Sequence, residues 1–185
     1  MPHHPYFLLR IICGADRFYI DSTLIFLEHQ LQARDKYTEI QVIKEYSQLP
    51  LVECYPAQLN QVFMNMLVNA IDALQDSNKT RFIGNSQIEK SNYLLPTIRI
   101  RTEVIDRKWV AISIADNASG MNEKVRARLF DPFFTTKPVG KGTALGLSIS
   151  YQIIVEKHGG QIGCISALGQ GTEFVIKIPV KAKNG

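Results

Sequence analysis

Two asparagines four residues apart give the first chemical signal in this chain, in Asn65-Met-Leu-Val-Asn69-Ala70-Ile-Asp72-Ala73. The surrounding pattern predicts a helix over Ala57–Leu74. Leu59, Val62, Met66, Ile71 and Leu74 recur at three- and four-residue spacings and form its buried face. Asn65 and Asn69 then lie one turn apart on a single face, with Asp72 about one turn further on. Amides are poor helix formers and costly to bury without partners. Backbone groups can satisfy them. So can a hard cation, because a neutral amide oxygen suits Mg²⁺, which keeps waters and substrate phosphates in its shell. The residue types alone leave both readings open.

Three further motifs follow in order. Ile112-Ser-Ile-Ala-Asp116-Asn117-Ala118-Ser119-Gly120-Met121 reads as a strand entering a tight turn. Leu129-Phe130-Asp131-Pro132-Phe133-Phe134-Thr135-Thr136-Lys137 is an aromatic knot on a loop. Gly140-Lys141-Gly142-Thr143-Ala144-Leu145-Gly146-Leu147 is a glycine-rich turn opening an apolar helical run. Its backbone N–H groups and helix start offer an anion site. The P-loop pattern Gly-x-x-x-x-Gly-Lys-Ser/Thr does not occur.

With the asparagine segment these motifs resemble, in order and spacing, the catalytic and ATP-binding domain of bacterial sensor histidine kinases. That domain sits in a wider ATPase superfamily with gyrase, a heat-shock chaperone and the mismatch-repair ATPases. The likeness runs from about Asp21 to Val180. It implies a Bergerat-type fold: an α+β, two-layer α/β sandwich with a mixed, mostly antiparallel sheet, about three helices on one face and a mobile ATP lid. It implies ATP and Mg²⁺ as cofactors. Asp116 would accept the adenine 6-amino proton, joined by Thr172, and Gly120 would let backbone approach the base. Asn69 would ligate the metal, with Asp72 beside it. Asn65 and Lys137 would be the catalytic pair. Lys141, Gly142, Thr143, Ala144, Leu145, Gly146 and Leu147 would wrap the phosphates. Phe130, Phe133 and Phe134 would anchor the lid.

Departures from the family pattern sharpen this reading. Hydrolysing relatives carry a glutamate where this chain has Asn65, and an amide cannot act as a general base. This favours phosphoryl transfer over hydrolysis. Ala118 and Ala144 stand where the family has glycine, which raises a degenerate nucleotide-binding module as an alternative. An anti-sigma-type serine kinase is a further one. None of His3, His4, His29 or His158 lies in an acceptor context. The expected acceptor is therefore a histidine on a dimerisation domain absent from this chain, with a response regulator receiver domain as the next partner.

These residues need elements to position them. Met1–Tyr19 has no clean period and reads as an upstream connection. A helix is expected from Asp21 to about Ala33, strands at Glu39–Tyr46 and Leu51–Cys54, and a polar loop over Gln75–Pro96. A hairpin, Thr97–Val104 with Lys108–Asp116, turns at Asp106-Arg107. The lid spans about 122–143 and a helix about Leu145–His158, stopped by Gly159-Gly160. A closing hairpin follows, Gln161–Ser166 with Thr172–Val180. The expected domain is thus 20–181, with 182–185 as a tail.

Composition fits one globular domain: 185 residues, 45% hydrophobic and 21% charged. No apolar run approaches the ~20 residues of a membrane span, and Phe7–Cys13 is short and broken by Arg10. Three scattered cysteines suit reduced thiols. The expectation is a cytoplasmic domain without membrane contact. The net charge of +4 is spread over several small groups without interleaved aromatics, so nucleic acid is not expected as a partner.

Overall fold

The computed structural model describes residues 11–13, 15–32, 39–83, 95–137 and 144–181. Along the chain come β1 (Ile11–Cys13), α1 (Ala15–Phe26), α2 (Glu28–Leu31), β2 (Gln41–Tyr46), β3 (Val52–Cys54) and α3 (Pro56–Ile83). Then follow β4 (Thr97–Val104), β5 (Trp109–Asp116), α4 (Glu123–Arg126) and α5 (Gly146–Tyr151). The last helix continues as a π-helical turn over Gln152–Lys157, ahead of β6 (Gln161–Ser166) and β7 (Thr172–Pro179).

Five strands form one sheet in the order β2-β4-β5-β7-β6. Only β2 and β4 pair in parallel; the other three pairings are antiparallel. Alternation sets the layers. Ile98 and Ile100 of β4, Val110, Ile112 and Ile114 of β5, and Phe174, Ile176 and Ile178 of β7 are all buried. They meet the apolar stripe of α3, where Leu59, Val62, Met66, Ile71 and Leu74 are each at most 2% exposed. Helices α1 and α5 both pack against α3. This is the two-layer α+β sandwich of a Bergerat-type fold, with one core between sheet and helices.

Four local expectations need correction. Ile11–Cys13 pairs antiparallel with β3, so part of the expected upstream connection is built into the fold. Helix α1 begins at Ala15 instead of Asp21 and breaks at Phe26. Helix α3 continues nine residues beyond Leu74, to Ile83, where a polar loop was expected. Gln75 and Asp76, just past the apolar stripe, are exposed, so polar residues suit a helix there as well as a loop. Finally, the helix expected to end at His158 closes in a π turn. Gly159 (φ +62) reverses the chain, and Gly160 N–H donates to Ile154 O at 2.8 Å.

Candidate functional site

A cavity of about 440 Å³ opens between α3, the end of β5, the start of β7 and the segment that follows β5. Helix α3 supplies one wall. Asn65, Asn69, Asp72 and Asp76 face the cavity at spacings of four, three and four residues, one helical stripe beside the buried apolar one.

At the cavity's floor, directly opposed residues bring Asp116 of β5 and Thr172 of β7 together. Each is 8% exposed. Asp116 Oδ1 accepts from Ala118 N–H at 3.0 Å, and Thr172 N–H also donates to this carboxylate. Burial outweighs those bonds and pushes the Asp116 carboxyl up from 3.8 to about 6. The adjoining turns require glycine. Gly120 and Gly171 hold φ of +66° and +79°, and a Cβ on either would strike backbone, the Ala167 carbonyl and the Asp116 carbonyl respectively.

The opposite end gathers amides and charge. Asn65 Nδ2 donates to Gly146 O at 2.9 Å and to Ser150 Oγ at 3.1 Å, tying α3 to α5. A Cβ on Gly146 would sit 3.3 Å from the Asn65 amide, so this close approach suits a glycine. Lys137 Nζ donates to Asn69 Oδ1 at 3.1 Å and pairs with Asp72 Oδ2 at 2.6 Å. An ammonium therefore sits where these two oxygens converge. The same oxygen set has the hard, partly anionic character that Mg²⁺ requires. Asn69 Oδ1 and Asp72 Oδ2, already converging on one cation, fit a divalent ion.

Ten of the residues singled out in the sequence line this one cavity: Asn65, Asn69, Asp72, Asp116, Gly120, Lys137, Ala144, Gly146, Leu147 and Thr172. Phe134 joins them, under the Arg128 guanidinium at 4.5 Å. Leu145 does not line it, and Lys141, Gly142 and Thr143 lie outside the described residues. The aromatic anchor needs revision. Phe130 packs against the core beside Tyr151, with ring centroids 5.7 Å apart, but Phe133 is 77% exposed. The inward anchor of this segment is Leu129, 5% exposed and part of the core. Phe133 and Ala144 are the two described non-glycine residues with positive φ, +63° and +55°, and Phe133 N–H donates to Ala144 O at 3.1 Å. Ala118 is not among them; its methyl is buried in the core.

Sequence reasoning missed Asp76 and Ser77, because it ended α3 too early. Ser77 Oγ accepts from Ser119 N–H at 3.0 Å and fixes the turn after Asp116. It also missed Ser166, a serine before a turn with no distinguishing local signal.

The profile of the histidine kinase-, DNA gyrase B- and HSP90-like ATPases matches residues 54–182. The chain belongs to this family. It is 40% identical over 133 residues to Sporulation kinase E of Bacillus subtilis, a match covering 72% of this chain and 15% of that kinase. Sensor kinase CckA of Brucella abortus is 38% identical over 126 residues, covering 66% of this chain and 12% of that one. The matches thus span less than a sixth of these curated relatives. The catalytic domain of histidine kinase ThkA, in a nucleotide-free form, superposes with a TM-score of 0.66 at 26% identity, covering 88% of this chain and 92% of that one. This is a catalytic ATP-binding domain of the histidine kinase type. Among the described residues no helix is long and apolar enough to cross a membrane.

Proposed function

We propose that the domain binds ATP with Mg²⁺ and donates the γ-phosphoryl group to a histidine on a separate dimerisation domain, from which a response regulator receiver would take it. The observation that carries this reading is the polarity of one cavity: a buried carboxylate at one end, and a cation held by Asn69 and Asp72 at the other. Asp116, ionised, accepts a hydrogen bond from the adenine 6-amino group; a 6-oxo purine presents an acceptor oxygen at that position instead. Asn69, with Asp72, would hold Mg²⁺, which when bound neutralises phosphate charge and orients the transferring group. Lys137 would then exchange its present partners for the γ-phosphate. In the transfer, an acceptor imidazole nitrogen forms the new P–N bond as the β,γ-bridging P–O bond breaks and ADP leaves.

Two features of this chain favour transfer to another domain. Asn65 spends its amide N–H groups on α5 and offers no base to activate water. His158 is 4% exposed, with Nδ1 bonded to Ile153 O at 2.8 Å and Nε2 accepting from Tyr55 N–H at 3.0 Å, so neither nitrogen is open to phosphate.

The test incubates γ-labelled ATP and Mg²⁺ with this chain and a panel of separately expressed histidine phosphoacceptor domains. The expected product is acid-labile phosphate on an acceptor and none on the chain itself. Acid-stable phosphate on serine would point to the anti-sigma class. Tight ATP binding with no transfer to any acceptor would point to the degenerate nucleotide-binding module.

A further inference from the structure

Behind Thr172 lies a buried hydroxyl that does not line the cavity. Ser166, 9% exposed, ends β6 directly opposite Thr172, so Asp116, Thr172 and Ser166 form one row across β5, β7 and β6. Ser166 Oγ contacts Gly171 O at 2.8 Å, Met121 N at 2.9 Å and Thr172 Oγ1 at 3.1 Å.

Counting protons orients this network. A serine hydroxyl has one hydrogen to donate and two lone pairs to accept with. A carbonyl oxygen can only accept, so the Ser166 proton goes to Gly171 O. A backbone N–H can only donate, so Met121 takes one Ser166 lone pair. The second lone pair faces Thr172, and the Thr172 hydroxyl must be the donor in that contact. Its single proton is thereby turned away from the cavity. Toward the ligand, Thr172 offers lone pairs only, as the ionised Asp116 carboxylate does.

We infer that Ser166 is a positioning residue for base selection: it locks the Thr172 hydroxyl as an acceptor, so the floor favours a 6-amino purine and leaves a 6-oxo group without a proton. This rests on the reading of Asp116 and Thr172 as the adenine floor. It adds a group that never touches the nucleotide and that sets the direction of a proton beneath it.

The test titrates the full chain with ATP and with ITP, which replaces the 6-amino group by a 6-oxo group, both with Mg²⁺, by calorimetry. The parent is expected to bind ITP about tenfold or more weakly, the scale of one unmet hydrogen bond. Ser166→Ala strips partners from Met121 N–H and Gly171 O, which loosens the site for both nucleotides alike. It also frees the Thr172 proton to meet the 6-oxo group. The ATP/ITP ratio is therefore expected to fall by about fivefold or more, the scale of one regained neutral hydrogen bond. In a Thr172→Val background the same serine change should leave the ratio where it was. Ser166→Cys, near in shape but a weak donor and acceptor, gives the same reading should the alanine variant not fold. A parental ratio in Ser166→Ala or Ser166→Cys overturns the inference, as does an equal drop in the Thr172→Val background. Equal ATP and ITP affinity in the parent overturns the adenine reading, and this inference with it.

Discussion

The Asp116 carboxylate should be a structural burden that binding requires, and Asp116→Asn exposes both sides of that bargain. Holding the carboxyl at about 6 instead of 3.8 corresponds to about 3 kcal/mol against its charged form in the folded state. The sign follows from linkage. The folded protein binds the Asp116 proton more tightly than the unfolded chain, so this contribution is fully present below about pH 3.8 and is lost as pH rises through about 6. Asparagine carries no such titration. It alters the bonds from Ala118 N–H and Thr172 N–H by some fixed amount, independent of pH. The stability difference between variant and parent should therefore move by about 2.5 kcal/mol in the variant's favour between pH 4 and pH 8, most of the full span, whatever its offset. Denaturant unfolding of both proteins at half-unit pH intervals measures it. Nucleotide binding should run the other way: the variant weakened by roughly 1.5–3 kcal/mol at pH 8, the parent losing ATP affinity below about pH 6. Parallel stability curves across this range would refute the burial argument. Parental ATP affinity in the variant would refute the adenine contact.

Other outcomes follow from the same geometry. Ala144→Gly should relieve the cost of a left-handed alanine, roughly 1–2 kcal/mol offset by glycine's freedom in the unfolded chain, and tighten ATP binding. Ala118→Gly, at a buried methyl without positive φ, should destabilise by about 1 kcal/mol and bring no gain in affinity; denaturation and ATP titration of both variants rank them. Asn69→Ala should abolish Mg²⁺-dependent transfer to an acceptor domain while leaving metal-free ADP binding near the parental value, read by filter assay and calorimetry. Burial lowers the His158 pKa below its ordinary 6.5, so its contribution is present above that pH and lost as pH falls below it. His158→Gln should flatten the acid side of the stability curve, measured as thermal unfolding from pH 7 to pH 5.

The sequence made the site more legible than its frame. Asn65, Asn69 and Asp116 were singled out by the order and spacing of four motifs, since residue types and period alone left backbone-bonded amides and a turn-starting Asp open; the structure brings all three to one cavity. The apolar stripe of α3 and the hairpins β4–β5 and β6–β7 carried periods strong enough to place them. Gln75–Ile83 escaped because a polar composition without an apolar period reads the same in a loop and in a helix; with it went Asp76 and Ser77. Phe133 misled for the opposite reason: aromatic content signals burial, yet a positive φ at that residue leaves its ring in solvent. The parallel β2–β4 pairing depends on contacts far apart in the chain, where local pattern has no reach.

The hydrogen bond between Tyr55 N–H and His158 Nε2 joins residues 103 positions apart, at the start of α3 and the end of the π turn. Further along, Asn65 ties the same two helices again through Gly146 and Ser150. Two fastenings of one helix pair act like the pinned side of a clamp: the gap between α3 and α5 is set when the chain folds, before any nucleotide arrives. The wall carrying Asn69 need not be prised apart by the phosphates, and its ordering adds no entropic penalty at the moment of binding. Adjustment falls to the opposite jaw, the segment from Asn122 to Lys137, which is held to the core chiefly through Leu129 and Phe130. On the proposed reading, nucleotide affinity would be divided between a rigid half, governed by fold stability, and a compliant half, governed by how readily Lys137 leaves Asp72.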